Sequence, residues 1–341
     1  MANPSTVIVD SGTFKASAIP QASHASNKLL ATMSAGMPEW HTVGAATYRE
    51  MSERGETLIP APVYLPNAID IAVPSRENGR TIPCRVLKPE GDASPKGIFL
   101  HFHPGGWVMM NEKSQDSTLK KFADATNLVA ISVGYRLAPE NPFPAGPEDC
   151  FDVAEWLIKN GNSEFGADLK FIGGESAGGH LSMLTVQHLL THGDPTISHF
   201  PFKGLLLNYG AYDLSLPPSA INFRFEPKLI FDHESILHFV NAAIPDKSTN
   251  LKHPSISPLY FNFSSLSPDK KLPPAFFACG TQDPLLDDTL FMSVKWQTAG
   301  GETVTRIIPG APHAYLGTPD GMYPGVPEAW VEMVEFVKAR Y

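Results

Sequence analysis

The chain is poor in cysteine: Cys84, Cys150 and Cys279 are the only three, odd in number, scattered, and without a C-x-x-C pair. That pattern excludes a disulfide framework and gives no metal or redox motif; it fits reduced thiols. Nowhere does a run approach the 18 or so apolar residues of a membrane span. The N-terminus, MANPSTVIVDSGTFKASAIP, lacks a basic stretch followed by an apolar one, so no secretory signal is read. Basic clusters are missing too. With 35 acidic against 26 basic side chains the net charge is -9, which makes nucleic acid and anionic membrane surfaces poor partners. A cytoplasmic protein is the expectation.

What is present is the composition of a globular chain, 43% hydrophobic and 18% charged. Residues 1–60 read as mostly helical, with helices over Ser26–Ala35 and Ala45–Glu53. IDIAVP and TIPCRVLKP flank an Asn78-Gly79 turn and predict a hairpin. From Gly97 onward apolar strands alternate with helical stretches. The strands are Gly97–His103, Leu128–Gly134, Leu169–Gly173, Gly204–Asn208, Ala275–Gly280 and Glu302–Ile308. The helices are Ser114–Ala125, Gly146–Lys159, Ala177–Leu190, Leu285–Ala299 and Val326–Ala339. Such alternation means an α/β fold with a mostly parallel central sheet flanked by helices. Residues 212–262 break the rhythm with an aromatic-rich stretch that has no clear strand. With the N-terminal helices it predicts a lid over the sheet's functional edge. The division is therefore residues 1–60 as the N-terminal part of a helical cap, 61–211 with 263–341 as the core, and 212–262 as the cap insertion.

One motif carries chemistry. Gly174-Glu175-Ser176-Ala177-Gly178 is G-x-S-x-G, set between an apolar strand and a helix-forming run. A serine on a tight strand-to-helix turn presents its hydroxyl to a site, and the glycines remove Cβ atoms that would strike neighbouring backbone. A serine nucleophile needs a base, and the base needs a carboxylate to fix its tautomer. In chain order the acid and then the histidine follow the serine. Of the later histidines only His313, in RIIPGAPHAYLG, stands in a loop just past a late strand. Asp283, in FFACGTQDPLLDD, stands three residues beyond a strand end, where sheet-edge chemistry gathers. Asp287 and Asp288 are assigned to the start of the next helix. The negative oxygen of an acyl-transfer intermediate also needs backbone N–H donors. Ala177 supplies one, and the loop His103-Pro104-Gly105-Gly106 after an early strand is the source of the rest.

These segments together resemble the hormone-sensitive-lipase-like family of α/β-hydrolases. HPGGW answers to its HGGG, YRLAPENPFPA (Tyr135 to Ala145) to its YRLAPE-x-x-FPA, GESAGG to GDSAGG, and DPLLDD and PHAY to its last two motifs, all in the family's order over residues 80 to 340. The resemblance implies an α/β-hydrolase core under a cap and a metal-free, cofactor-free carboxylesterase acting on a short-chain or small apolar ester. Its catalytic residues fall on Ser176, Asp283 and His313, and its oxyanion donors on Gly105, Gly106 and Ala177. Members of this group often form homodimers through the last strand and helix.

Pro104 stands where the family has its first glycine. It has no N–H, but the donors are the next two residues, so the hole should survive. Glu175 replaces the usual aspartate with one more methylene. His103 reads as a scaffold for the loop, and His101 has no evident role. Trp107, Met109, Tyr209, Tyr212 and Tyr315, with Phe223, Phe225 and Phe231 from the insertion, are candidates for an apolar substrate pocket or for packing of the cap. The same constellation could serve an acyltransferase or lyase, or, with a broken triad, a small-molecule receptor.

Overall fold

The computed structural model describes residues 9–91, 93–225, 228–230 and 232–341. Eight strands form one sheet in the order β1-β2-β4-β3-β5-β6-β7-β8. β1 (Ile69–Pro74) and β2 (Thr81–Leu87) make the expected antiparallel hairpin, and β2 runs antiparallel to β4 (Leu128–Val133). Every further pairing, through β3 (Gly97–Phe102), β5 (Leu169–Glu175), β6 (Gly204–Asn208), β7 (Ala275–Gln282) and β8 (Thr303–Pro312), is parallel. β3, β4 and β6 are buried along their whole length, which is why they read as unbroken apolar runs.

Helices cover both faces. α4 (Asp116–Thr126) and α11 (Val326–Lys338) close one side, packing Leu119, Phe122 and Phe336 against Phe171 and Phe276 of the sheet. On the other side α5 (Ala145–Phe165), α6 (Ala177–Leu190) and α10 (Leu286–Thr298) pack Val153, Leu181 and Trp296 against Ile172 and Phe277. Two helices run longer than their sequence pattern. α1 spans Gln21–Ser34 because the side it buries is partly polar: Asn27 donates to the Gly310 carbonyl at 2.9 Å and accepts from the Tyr323 hydroxyl at 2.9 Å, so no apolar stripe marks its first turns. α5 continues through Asn160-Gly161-Asn162 to Phe165, since Gly161 is the residue that lets Ile98 approach, and it stops at Gly166 in the left-handed region.

The N-terminal helices α1, α2 (Trp40–Val43) and α3 (Ala45–Glu53) meet the insertion between β6 and β7, which contains α8 (Pro218–Asn222) and α9 (His233–Ala243); a short α7 (Pro195–Ser198) precedes β6. Ser34 donates to the Leu229 carbonyl, Lys228 pairs with Glu39 at 2.7 Å, Trp40 lies against Phe239 at 5.1 Å between ring centres, and His41 stacks on His238 at 3.7 Å. The layer so formed sits on the loops leaving the carboxyl ends of the strands. Arg49 on α3 donates to the carbonyls of Val108, after β3, and Ala138, after β4.

Candidate active site

β5 ends and α6 begins at Ser176, whose backbone takes φ 53° and ψ −116°, a conformation a residue with a Cβ rarely adopts. It is held there by an N–H bond to the Asn208 carbonyl and by the His180 N–H bonding back to its own carbonyl. The flanking glycines are required by distance. A Cβ on Gly174 would lie 2.2 Å, and one on Gly178 1.8 Å, from the Phe102 carbonyl oxygen at the end of β3. The turn at Ser176 and the strand that carries the glycine loop therefore touch backbone to backbone.

The structure brings Ser176, Asp283 and His313 into one hydrogen-bonded chain. Ser176 Oγ is 2.9 Å from His313 Nε2, and His313 Nδ1 is 2.9 Å from Asp283 Oδ2 and 3.1 Å from Oδ1. A carboxylate can only accept, so His313 Nδ1 carries the proton towards Asp283 and Nε2 accepts from the serine hydroxyl. The Leu285 N–H fixes the carboxylate further at 2.8 Å. Asp283 and His313 are buried, and Ser176 is half-buried.

The glycine loop lies beside this chain. Gly105 and Gly106 both have positive φ, 112° and 61°, and the Gly105 carbonyl accepts from Val108 and Met109, folding the loop back on itself. No acceptor among the described residues takes the N–H of Gly105 or Gly106. Pro104 contributes its carbonyl, which accepts from His103 Nδ1 at 2.7 Å. The Tyr135 hydroxyl donates to the His103 carbonyl, and its ring stacks on the imidazole at 4.2 Å. Burial pushes His103 down to about 3, so it stays neutral and acts as scaffold. Trp107 anchors the far side of the loop. Its indole N–H donates to His180 Nδ1 at 3.1 Å, and His180 Nε2 donates to the Ile256 carbonyl at 2.7 Å. That tautomer is neutral, and burial holds His180 down to about 4. The glycine loop, the helix after Ser176 and the insertion are thus joined through one imidazole.

The pocket candidates divide. Met109 and Trp107 are half-buried and pack with Trp40 and Phe239 of the overlying layer. Tyr209, Tyr212 and Tyr315 are buried, each in contact with other rings. Asp288 accepts the N–H groups of Tyr212 and Asp213, drawing the chain down so that the Tyr212 ring meets Phe277. Tyr209 lies edge-on behind His313, with Tyr315 behind it, each at 4.9 Å. Phe225 packs beside α1, and Phe231 lies outside the described residues. Sequence reasoning missed Phe239. A Cβ on Gly106 would lie 2.3 Å from its ring, so α9 lays an aromatic directly on the glycine loop.

Asp287 and Asp288 do stand in the first turn of α10, but their partners lie elsewhere. Asp287 accepts from the Ser219 N–H on α8, and Asp288, fully buried, has its carboxyl raised well above the usual range by that burial. His101 also gains a partner. Its Nε2 is 2.9 Å from Glu175 Oε2 and its Nδ1 3.1 Å from Ser132 Oγ, a buried pair beneath the turn at Ser176. Among the described residues, a His/His/Glu group with metal-ligand spacing lies away from this site, at the far end of α6.

A family model described as alpha/beta hydrolase fold matches residues 99–317. The chain belongs to the α/β-hydrolase family. Its relatives place it in the hormone-sensitive-lipase-like group of carboxylic ester hydrolases. Esterase LipI of Mycobacterium tuberculosis is 31% identical over 76% of this chain and 78% of its own. An AB hydrolase superfamily protein of Schizosaccharomyces pombe is 29% identical over 76% of each chain. Among solved structures, an ester hydrolase from the metagenome of Lake Arreo, complexed with a bipyridine phosphonate derivative, superposes with a TM-score of 0.76 at 26% identity. That match covers 94% of this chain and 98% of the other.

Proposed function

We propose that this α/β-hydrolase is a serine carboxylesterase for short-chain or small apolar esters, with Ser176, Asp283 and His313 as its catalytic triad. The observation that carries the reading is the unbroken chain from Ser176 Oγ through His313 to Asp283, with both links at 2.9 Å. His313 Nε2 takes the serine proton as Oγ attacks the ester carbonyl carbon. The oxygen that becomes negative is held by the N–H groups of Gly105, Gly106 and Ala177. His313 returns the proton to the departing alcohol oxygen and leaves an acyl-serine. Water then attacks that acyl carbon with His313 again as base, releasing the acid and restoring the serine. Asp283 keeps the imidazole oriented and stabilises it when charged.

Residues 1–60 and 212–262 are read as the cap, with Phe239 from the cap and Met109 from the loop after β3 lining a small apolar pocket. The exposed Val304 on the edge strand β8 and Val331 on α11 support homodimerisation through that edge, and three buried free thiols support a cytoplasmic setting. No helix among the described residues is long and apolar enough to cross a membrane. Release of p-nitrophenol from the acetate ester, with and without added alcohol, tests the assignment. Esterase turnover lost by about a thousandfold or more in Ser176→Ala supports it. Acyl transfer to the alcohol that outruns hydrolysis at low alcohol concentration would instead make the enzyme an acyltransferase.

A further inference from the structure

Twelve residues beyond Ser176, about 18 Å along a helix, α6 ends in a group of side chains that the proposed reaction does not use. His188 lies in the last turn of α6, His192 follows just past the C-cap Thr191, and Glu155 faces both from α5. One carboxylate oxygen, Glu155 Oε1, is 2.8 Å from His188 Nε2 and 3.8 Å from His192 Nε2. The three ligand atoms all lie within 4.8 Å of one another. Two imidazoles four residues apart, one in the last turn of α6 and one just past its end, and a carboxylate from a neighbouring helix form an N,N,O donor set suited to Zn²⁺, Ni²⁺ or Cu²⁺ rather than to Mg²⁺ or Ca²⁺. We propose that Glu155, His188 and His192 bind one divalent transition-metal ion, with water completing its shell.

The surroundings favour such a site. Phe151 stacks on His188 at 4.3 Å and 3°, which fixes that ring in place. The three side chains are 21% to 26% exposed, open enough for an ion to enter yet held by packing. Ligand atoms around a tetrahedral Zn²⁺ stand about 3.3 Å apart, so on binding the widest gap closes by up to about 1.5 Å and the Glu155–His188 pair opens by about 0.5 Å, within reach of rotamer adjustment in half-buried side chains.

Two features limit affinity. His192 Nδ1 accepts the Asp194 N–H at 3.0 Å, so without metal its proton sits on Nε2, facing Glu155. Coordination through Nε2 shifts that proton to Nδ1, and the Asp194 amide loses its acceptor. Lys159 Nζ, 3.8 Å from Glu155 Oε2, competes for the same carboxylate. The ion bridges α5 and α6, so binding stabilises the folded chain.

Calorimetric titration of Zn²⁺ into the whole protein at pH 7.5, alongside thermal unfolding, tests this. His192→Ala is the main variant because it leaves the Phe151–His188 stack in place. Glu155→Gln is the second, and His238→Ala controls for adventitious binding to a surface histidine. The proposal expects one ion per chain, unchanged in His238→Ala and at least tenfold weaker in both His192→Ala and Glu155→Gln. It also expects a Zn²⁺-dependent rise in Tm that the same two variants lose. No saturable binding, or binding that survives either of those substitutions, overturns it. An ion held at the His313–Asp283 pair would survive both and would count against the proposal.

Discussion

At Gly178 a side chain has nowhere to go. The atom it would strike is the carbonyl oxygen of Phe102, one residue before the loop that holds the glycine donors, so β3 would have to move to accept it. Gly178→Ala is expected to destabilise the fold by about 3 kcal/mol and to lower kcat/KM more than tenfold. Denaturant midpoints and initial rates on the same preparations check both. Histidine burial supplies a second residue-scale expectation. His103 and His180 are held neutral with values near 3 and 4, while in the unfolded chain both titrate near the ordinary 6.5. Depressed folded values mean that the unfolded state binds the protons first as pH falls. Stability is therefore complete above pH 6.5 and is lost progressively towards pH 4, with uptake of about two protons on unfolding near pH 5. Tm measured from pH 7 to 4.5 should fall, and His180→Gln, which removes one of the two groups, should flatten the slope. A slope unchanged by that substitution would contradict the assigned cause.

Between elements, the site is held by links that no single segment displays. Arg49 on α3 ties down the Val108 and Ala138 carbonyls, and Trp107 reaches His180 and through it Ile256. Arg49→Ala is expected to lower kcat about three- to tenfold by loosening the glycine loop, with the fold retained. Lysine should not restore it, since one ammonium cannot span both carbonyls as the guanidinium fork does. α9 meets the same loop from above. Removing the Phe239 ring should shift preference towards bulkier acyl groups by about tenfold in relative kcat/KM, read across a series of p-nitrophenyl esters. Several of these links were invisible in the sequence. The G-x-S-x-G turn, the strand-end aspartate and the late-loop histidine could be read because each carries its context within a few residues. Phe239, 63 residues beyond Ser176 in a stretch without clear periodicity, has no local mark. Tyr212 shows the converse: an aromatic just past a strand suits a pocket wall or packing alike, and what buries this one is Asp288, 76 residues later, which accepts its backbone N–H.

Over the whole molecule, the alternation of apolar runs and helical stretches carried the architecture, and the eight-stranded sheet follows it strand for strand. What the alternation could not carry was the seating of the first sixty residues. Their buried side is polar at Ser23 and Asn27, and their partners, Gly310, Leu229 and Tyr323, lie some 200 to 300 residues away. Contacts of that separation come from the closed sheet rather than from local pattern. They put α1 against the strand end that leads to His313, while Arg49 carries α3 to the Val108 carbonyl just past the glycine loop. The central claim concerns what this convergence serves, a serine made nucleophilic by its neighbours. Exposure of the intact protein to a fluorophosphonate, followed by peptide mass mapping, tests it most directly. The account predicts one adduct per chain, on Ser176, formed rapidly in the wild type, slowed at least a hundredfold in His313→Ala and absent in Ser176→Ala. Failure of the wild type to label, or an adduct that persists after Ser176→Ala, would contradict it.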